Sequence, residues 1–437
     1  MASHGDHRPA PWLFGKWLFG KWLFGKRLFG NWLFRLWKVY WLTFHLVLKT
    51  LARVLPFPQP TLLIGSDSLH SLGDVLQQRG WTRPLLVSDR QLMRLQLPAP
   101  LINALAGAGM HCTIFDAVPE NPTIASVEAG LRRFQATGCD SLIAIGGGSV
   151  MDCAKGIAAR AGNPWLPLQW MEGLFKVIGP TPPLTCIPTT AGSGSEATIA
   201  AVFTDPTQAR KFAIADLKLM PRVTVIDPQL LLTLPPSITA AGGMDALTHA
   251  VESFIGRNGN AWSRNKACSA LRRIHRSLLN AYRQGDDLPA RLDMALAAHE
   301  AGEAFTRTNV GYVHAIAHAI GSRYGLPHGL ANAIALPPVL RWSQPACKSQ
   351  LAELARTIAL GDAQASDTEL ATQFIRWVEE LNRQLNVPPV VHELQDTDIP
   401  VLCRSILQEA HPDYPVPRLM TPSDCASVMR EMLEPTR

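Results

Sequence analysis

The chain is poor in charge, and acidic residues are almost missing from its start. Charged residues fill 17% of its 437 positions. The first 60 hold nine Lys or Arg and a single Asp, Asp6, for a net charge of +8. The other 377 residues sum to −2, so the basic excess belongs to an extension and predicts no nucleic-acid-binding domain. Long apolar runs are also missing near the N-terminus. The longest uncharged stretch there, Val39 to Leu48, has ten residues, too few to cross a bilayer. No A-x-A site follows it, so a secretory leader is not expected. None of the eight cysteines forms a C-x-x-C pair, and no disulfide-framework spacing occurs, which fits a reducing, cytoplasmic compartment. There is no G-x-G-x-x-G, no complete P-loop and no Ser/His or Cys/His nucleophile arrangement. What is present is apolar residue, at 47%, enough for a large core and too much for a disordered chain. The length suggests two or three domains.

Residues 11–34 read P-WLFGK-WLFGK-WLFGK-RLFG-N-WLF, a five-residue tandem repeat. A period of five advances about 140° per repeat on a helix, so no single apolar stripe forms. The repeat reads either as a poorly ordered duplicated tail or as a membrane-surface segment, since Trp favours the interface and Lys favours anionic lipid. Residues 36–55 predict an amphipathic helix. Arg35, Lys38, His45, Lys49 and Arg53 fall on one face, and Trp37, Trp41, Phe44, Leu48 and Leu51 cover much of the rest. Such a helix could dock on the protein's own surface or make peripheral membrane contact through residues 11–55. Pro56, Pro58 and Pro60 end it.

From about residue 61, short apolar runs at 61–64, 84–89, 111–116, 141–145, 184–188 and 223–227 predict strands. Helical patterns such as 124–135 and 150–160 lie between them. This alternation predicts an α/β domain with a mostly parallel sheet over residues 61–235. Ala- and Leu-rich helical patterns at 240–255, 263–282, 288–306, 313–324 and 369–385 predict an all-α domain over residues 236–437. Residues 1–60 are the extension.

Two stretches suit a nucleotide. Asp140 to Lys155 carries a strand into Gly146, Gly147, Gly148 and Ser149 and then opens a helix. Glycines let backbone N–H groups approach an anion, and the helix directs its positive end to the same place. Ile187 to Thr198 follows another strand with three Thr, two Ser and two Gly. Asp89, at a strand end, suits the adenosine ribose hydroxyls and favours NAD over its 2′-phosphorylated form.

A metal site is predicted further on. Asp245 and His249 stand at i, i+4, as do His314 and His318, and His328 follows in a Pro-Gly turn. One carboxylate with two or three imidazoles suits Fe(II) or Zn(II). Ala315 follows the first His of H-A-I-A-H, so the metalloprotease reading fails for lack of a general base. A dinucleotide site with a metal site suggests hydride transfer, and a His outside the metal shell, such as His318, could relay the hydroxyl proton.

GGGSVMDCAK, PTTAGSGSEAT, GGMDALTHAVES and HAIAHAIGSRYGLPHGLANAIALP together resemble the iron-containing (group III) alcohol dehydrogenases, over about residues 57–437. The resemblance implies an N-terminal α/β dinucleotide domain followed by a helical one. It implies Asp245, His249, His314 and His328 as ligands of Fe(II), with Zn(II) the alternative, and His318 near substrate and nicotinamide. Asp89 would face the adenosine ribose. Gly147, Gly148, Ser149, Asp152, Thr189, Thr190, Ser193 and Thr198 would line NAD. Lys211 would reach toward the ribose, and Asn121 stands where the family has a cofactor-side Asn. A homo-oligomer is implied too. Ser193 replaces the Thr of many members but keeps the hydroxyl; PDYPVPR lacks the usual Asn-Pro; the repeats have no counterpart. The activity so implied is NAD-dependent, metal-dependent conversion of a primary alcohol or diol to its aldehyde. A hydroxyacid–oxoacid transhydrogenase on the same fold and a non-redox metal-dependent lyase or hydrolase are the alternatives.

Overall fold

The computed structural model describes residues 30–54, 56–207, 210–362 and 364–434. The repeats up to residue 29 lie outside the described residues, as do the side chains of Arg35, Leu51 and Arg53. The described chain forms two units, one of Pro56–Ala250 with Asn265–Thr306, the other of Val251–Arg264, Arg307–Arg437 and the described part of Met1–Leu55.

Nine strands occur among the described residues: β1 Thr61–Ile64, β2 Pro84–Val87, β3 Thr113–Phe115, β4 Ser141–Gly146, β5 Gly173–Leu174, β6 Leu184–Pro188, β7 Ala200–Asp205, β8 Arg210–Ala215 and β9 Val223–Ile226. Six of them make a parallel sheet in the order β1-β9-β6-β4-β2-β3, and these are the six runs predicted from the sequence. Alternate residues serve opposite faces. On one face Leu85, Val87, Leu142, Ala144, Leu184 and Cys186 pack with Val150, Ala154 and Ile157. On the other, Leu86, Ile143, Ile145, Ile187 and Val223 pack with Leu72, Leu76 and Leu101. Because both faces are covered, the strands read as continuous apolar runs rather than alternating ones. The prediction at 84–89 ends two residues early, at Val87, because Asp89 turns to cap the helix Arg90–Arg94 through Leu92 N at 2.9 Å.

A smaller sheet, β5-β8-β7, was not predicted. β7 and β8 are an antiparallel pair with Phe203 opposite Phe212. Burial alternates along β7, so its sequence mixes polar and apolar residues within a polar loop region.

After β9 the described chain contains helices and no strand, in agreement with the predicted fold class. In the second unit the helices Tyr312–Tyr324, His328–Thr357, Asp367–Gln384, Ile399–Ala410 and Pro422–Arg430 bury Ile316, Leu340, Phe374, Leu407 and Met429 completely. None of the described helices is long and apolar enough to cross a membrane.

The N-terminal helix Gly30–Val54 belongs to this unit. Trp37 and Trp41 are buried, and Trp37 meets the His411 ring edge-on at 4.9 Å. His45 Nε2 bonds the Pro412 carbonyl at 2.8 Å, and Asn258 Nδ2 bonds its Nδ1 at 3.1 Å. Lys49 Nζ donates to the Arg257 carbonyl at 3.0 Å. The predicted basic face therefore does not look outward as a whole: His45 and Lys49 supply the docking bonds. Leu36, Val39, Leu42, Leu46 and Val47 are left exposed instead.

Candidate functional site

In the α/β unit, β4 and β6 run parallel with Gly146 opposite Pro188. Their carboxyl ends therefore release the glycine-rich turn and the Thr/Ser-rich turn at one level, where open parallel sheets hold ligands. A Cβ on Gly147 would lie 3.5 Å from Thr190 Oγ1, and one on Gly148 would lie 3.0 Å from Ser193. A side chain at Gly148 would crowd Ser193, whereas one at Gly147 would only touch Thr190. Gly147 caps the 15-residue helix Gly148–Gly162 without a side-chain bond, so its N-terminal amides remain available to an anion.

The neighbouring segments join the same edge. Ser149 Oγ donates to the Glu120 carbonyl. Thr204 N donates to the Pro122 carbonyl at 2.8 Å, which ties the residue 120–123 segment to β7. Lys211 of β8 then reaches Asn121 Oδ1 at 2.8 Å. Asp89, half-buried, follows β2 beside β4. The structure thus gathers Asp89, Asn121, Gly147, Gly148, Ser149, Thr190, Ser193 and Lys211 in one unit. Thr189 is buried, with its N–H bonded to the Gly146 carbonyl at 3.1 Å.

Asp152 and Thr198 face a buried cation. Lys155 Nζ donates to the carbonyls of Ser195 and Ala200 at 2.7 and 2.8 Å, to Ser195 Oγ at 3.0 Å and to Thr198 Oγ1 at 2.9 Å. Asp152 accepts from Ser195 Oγ at 2.8 Å and from Val202 N at 2.9 Å. Burial raises the Asp152 carboxyl and lowers the Lys155 amine, while their mutual attraction opposes both shifts. Sequence reasoning treated Lys155 only as an incomplete P-loop. Its work is to anchor the Thr/Ser-rich turn from below.

The i, i+4 spacing on the helix Pro236–Ile255 brings Asp245 Oδ1 and His249 Nδ1 to 3.9 Å, both buried. Phe305 stacks on His249 with ring centroids 4.2 Å apart and an interplanar angle of 17°.

In the helical unit the organising residue is Glu252. Its Oε2 accepts from Gly311 N and from His314 Nδ1, each at 2.7 Å, and its Oε1 accepts from Val313 N at 2.7 Å. Burial pushes this carboxyl up to about 7, against the pull of the donors. With Nδ1 held by a carboxylate, His314 offers its Nε2 lone pair. Asn332 Nδ2 lies 3.4 Å from His314 Nε2 and 3.1 Å from His328 Nε2, so both Nε2 atoms turn toward the same side chain. His328 also stacks on His318, at 5.1 Å and 23°. His318 Nδ1 is 2.6 Å from Glu409 Oε1, and Tyr414 donates to that same oxygen at 2.8 Å. Burial would raise Glu409, but His318 and Tyr414 hold it below the ordinary glutamate value. Sequence reasoning missed Glu252, Glu409 and Asn332. Glu252 carried a signal, since it stands one helical turn beyond His249 in the same motif.

Each unit thus buries side chains of the kind a borderline divalent ion takes, Asp245 with His249 in one and His314 braced by Glu252 in the other. With a parallel sheet whose glycine-rich turns converge at its carboxyl edge, these are the parts of an oxidoreductase. The family model for iron-containing alcohol dehydrogenase matches residues 59–228, and that for the Fe-containing alcohol dehydrogenase family, C-terminal, matches residues 239–433. The 1,3-propanediol dehydrogenase of Klebsiella pneumoniae is 34% identical over 371 residues, covering 84% of this chain and 95% of its own. The lactaldehyde reductase of Escherichia coli K12 is 36% identical over 354 residues, covering 80% and 92%. The crystal structure of sulfoacetaldehyde reductase from Bifidobacterium kashiwanohense in complex with NAD+ is 26% identical and superposes with a TM-score of 0.78, covering 86% of this chain and 98% of that one. The chain belongs to the iron-containing alcohol dehydrogenase family.

Proposed function

We propose that this family member transfers hydride between a primary alcohol or diol and NAD, and in reverse reduces the aldehyde. Asp245, His249, His314 and His328 would hold one divalent ion, Fe(II) by family, with Zn(II) the alternative. The observation that carries the metal assignment is the Glu252 bond to His314 Nδ1, which leaves Nε2 as the donor. When bound, the ion supplies Lewis acidity toward a substrate oxygen, and NAD supplies the hydride acceptor.

The chain's own residues do the rest. The amides after Gly147 and the hydroxyls of Thr190 and Ser193 bind the cofactor's phosphates. Asp89 faces the adenosine ribose, and Lys211, steered by Asn121, reaches toward the ribose. Asp152, Thr189 and Thr198 form the support beneath these groups. His318, oriented through Nδ1 by Glu409, accepts the hydroxyl proton at Nε2 and passes it on. The reading includes a cytoplasmic location, a homo-oligomer and peripheral membrane contact through residues 11–55.

Anaerobic protein loaded with Fe(II) should reduce NAD with short alcohols and diols, read at the nicotinamide absorbance, and a chelated control should not. Turnover unaffected by complete metal removal overturns the proposal.

A further inference from the structure

The N-terminal helix Gly30–Val54 has two faces that the sequence does not separate. One is taken up by the protein through Trp37, Trp41, His45 and Lys49. The other exposes Leu36, Val39, Leu42, Leu46 and Val47, with Val39 at 63% and Leu46 at 65%. Thr43 and Thr50 lie among them, and each hydroxyl donates back to a carbonyl of its own helix, Val39 at 2.9 Å and Leu46 at 2.8 Å. That back-bonding leaves their methyl groups as the outward chemistry. Lys38 is exposed as well, but it stands seven residues before His45 and so borders the docked side of the helix.

Charge names the occupant. From Asp6 to Asp67 the sequence has no acidic residue, and the first 60 residues carry +8. The tandem Trp-Leu-Phe-Gly-Lys units directly precede the helix. Tryptophans and apolar side chains interspersed with lysines suit the boundary between headgroups and acyl chains of an anionic bilayer. A basic protein surface facing a second, equally basic copy would instead repel itself. The helix is already fixed by its inner face, so the apolar outer face is presented without ordering cost at the moment of contact.

We infer that the outer face of Gly30–Val54 is a docking surface for an anionic phospholipid bilayer. It holds the enzyme on the membrane without spanning it. The inference rests on the peripheral contact proposed above and is independent of the redox reading.

The test is sedimentation of the full chain with phosphatidylcholine vesicles, with and without 30 mol% phosphatidylglycerol (roughly the anionic content needed for a strong surface potential). Thermal unfolding and size-exclusion chromatography are run on the same preparations, and alcohol turnover is assayed separately. The wild type should bind the anionic vesicles about tenfold better than the neutral ones. The variant Val39→Ser/Leu46→Ser/Val47→Ser should lose at least about tenfold of that binding and unfold at the wild-type temperature. No vesicle binding by the wild type overturns the inference, as does equal binding by the variant. A wild-type dimer that the variant dissolves, without vesicle binding, overturns it in favour of a second copy. Loss of turnover with vesicle binding intact counts against the redox reading and leaves the docking surface standing.

Discussion

Lys211 donates its Nζ proton to Asn121 Oδ1 at 2.8 Å, joining β8 to the loop after β3. Neither residue stands near a glycine-rich motif in sequence, yet both meet the edge where Ser149 bonds Glu120. Lys211→Met should raise KM for NAD by about tenfold or more, the range of one charge-assisted bond. Asn121→Ala should raise it less, because Lys211 remains. Steady-state kinetics with saturating alcohol checks this, and an unchanged KM in both variants removes the pair from the cofactor site.

Glu252→Ala should weaken metal affinity about 10- to 100-fold, by freeing the His314 ring. Competition against a fluorescent chelator reads the affinity without any turnover. Glu252→Gln should fall between, since an amide oxygen can still accept from His314 while its NH2 group cannot accept from Val313. Wild-type affinity in Glu252→Ala would show that the ring needs no brace.

His249→Ala should lose both metal and activity while remaining folded. Elemental analysis with circular dichroism tests the assignment, and full metal content in the variant rejects it.

Lys155→Met should destabilise the α/β unit by about 3–5 kcal/mol, because it leaves Asp152 buried without its cation. The Ser195 and Ala200 carbonyls lose a donor in the same step. A lower midpoint in urea unfolding is expected. A midpoint within error of the wild type would mean that the network contributes nothing net.

Acid should release the N-terminal helix first. Burial pushes His45 down to about 4 and His411 down to about 3, from 6.5 when exposed. Above pH 6.5 both rings are neutral whether docked or not, and the full stability of docking is present. As pH falls from 6.5 toward 4 the undocked chain takes up at His45 a proton that the docked one refuses, so docking loses roughly 1.4 kcal/mol per pH unit. Proteolysis at the 55–60 junction should therefore accelerate in that window, and His45→Gln should flatten the response. A cleavage rate that stays constant down to pH 4 would contradict it.

Much of this was legible in the sequence, for physical reasons. Strands covered on both faces must be apolar throughout, so Leu142 to Ile145 announces β4 unaided. The i, i+4 pairs and the glycine-rich turn have the spacing their chemistry requires. The hairpin β7–β8 was hidden because a half-exposed strand mixes polar and apolar residues. The helix His328–Thr357 was hidden by Pro337, Pro338 and Pro345, which normally punctuate a chain, and its backbone does leave the helical region at Cys347. The direction of the N-terminal helix was unreadable because both its faces carry large apolar residues. Glu409 acts on a ring 91 positions away, and such a distance leaves no local pattern; Glu252 stands in the His249 motif, but its partner His314 lies 62 positions on.

Glu252 grips two backbone amides as well as the His314 ring, so the start of the helix Tyr312–Tyr324 is pinned by the protein itself. The ring's direction is settled when the chain folds, not when an ion arrives. An ion held at His314 would then exchange in the finished protein, with the start of this helix kept in place by Glu252. What the enzyme carries in the cell would be set by supply as much as by its own preference.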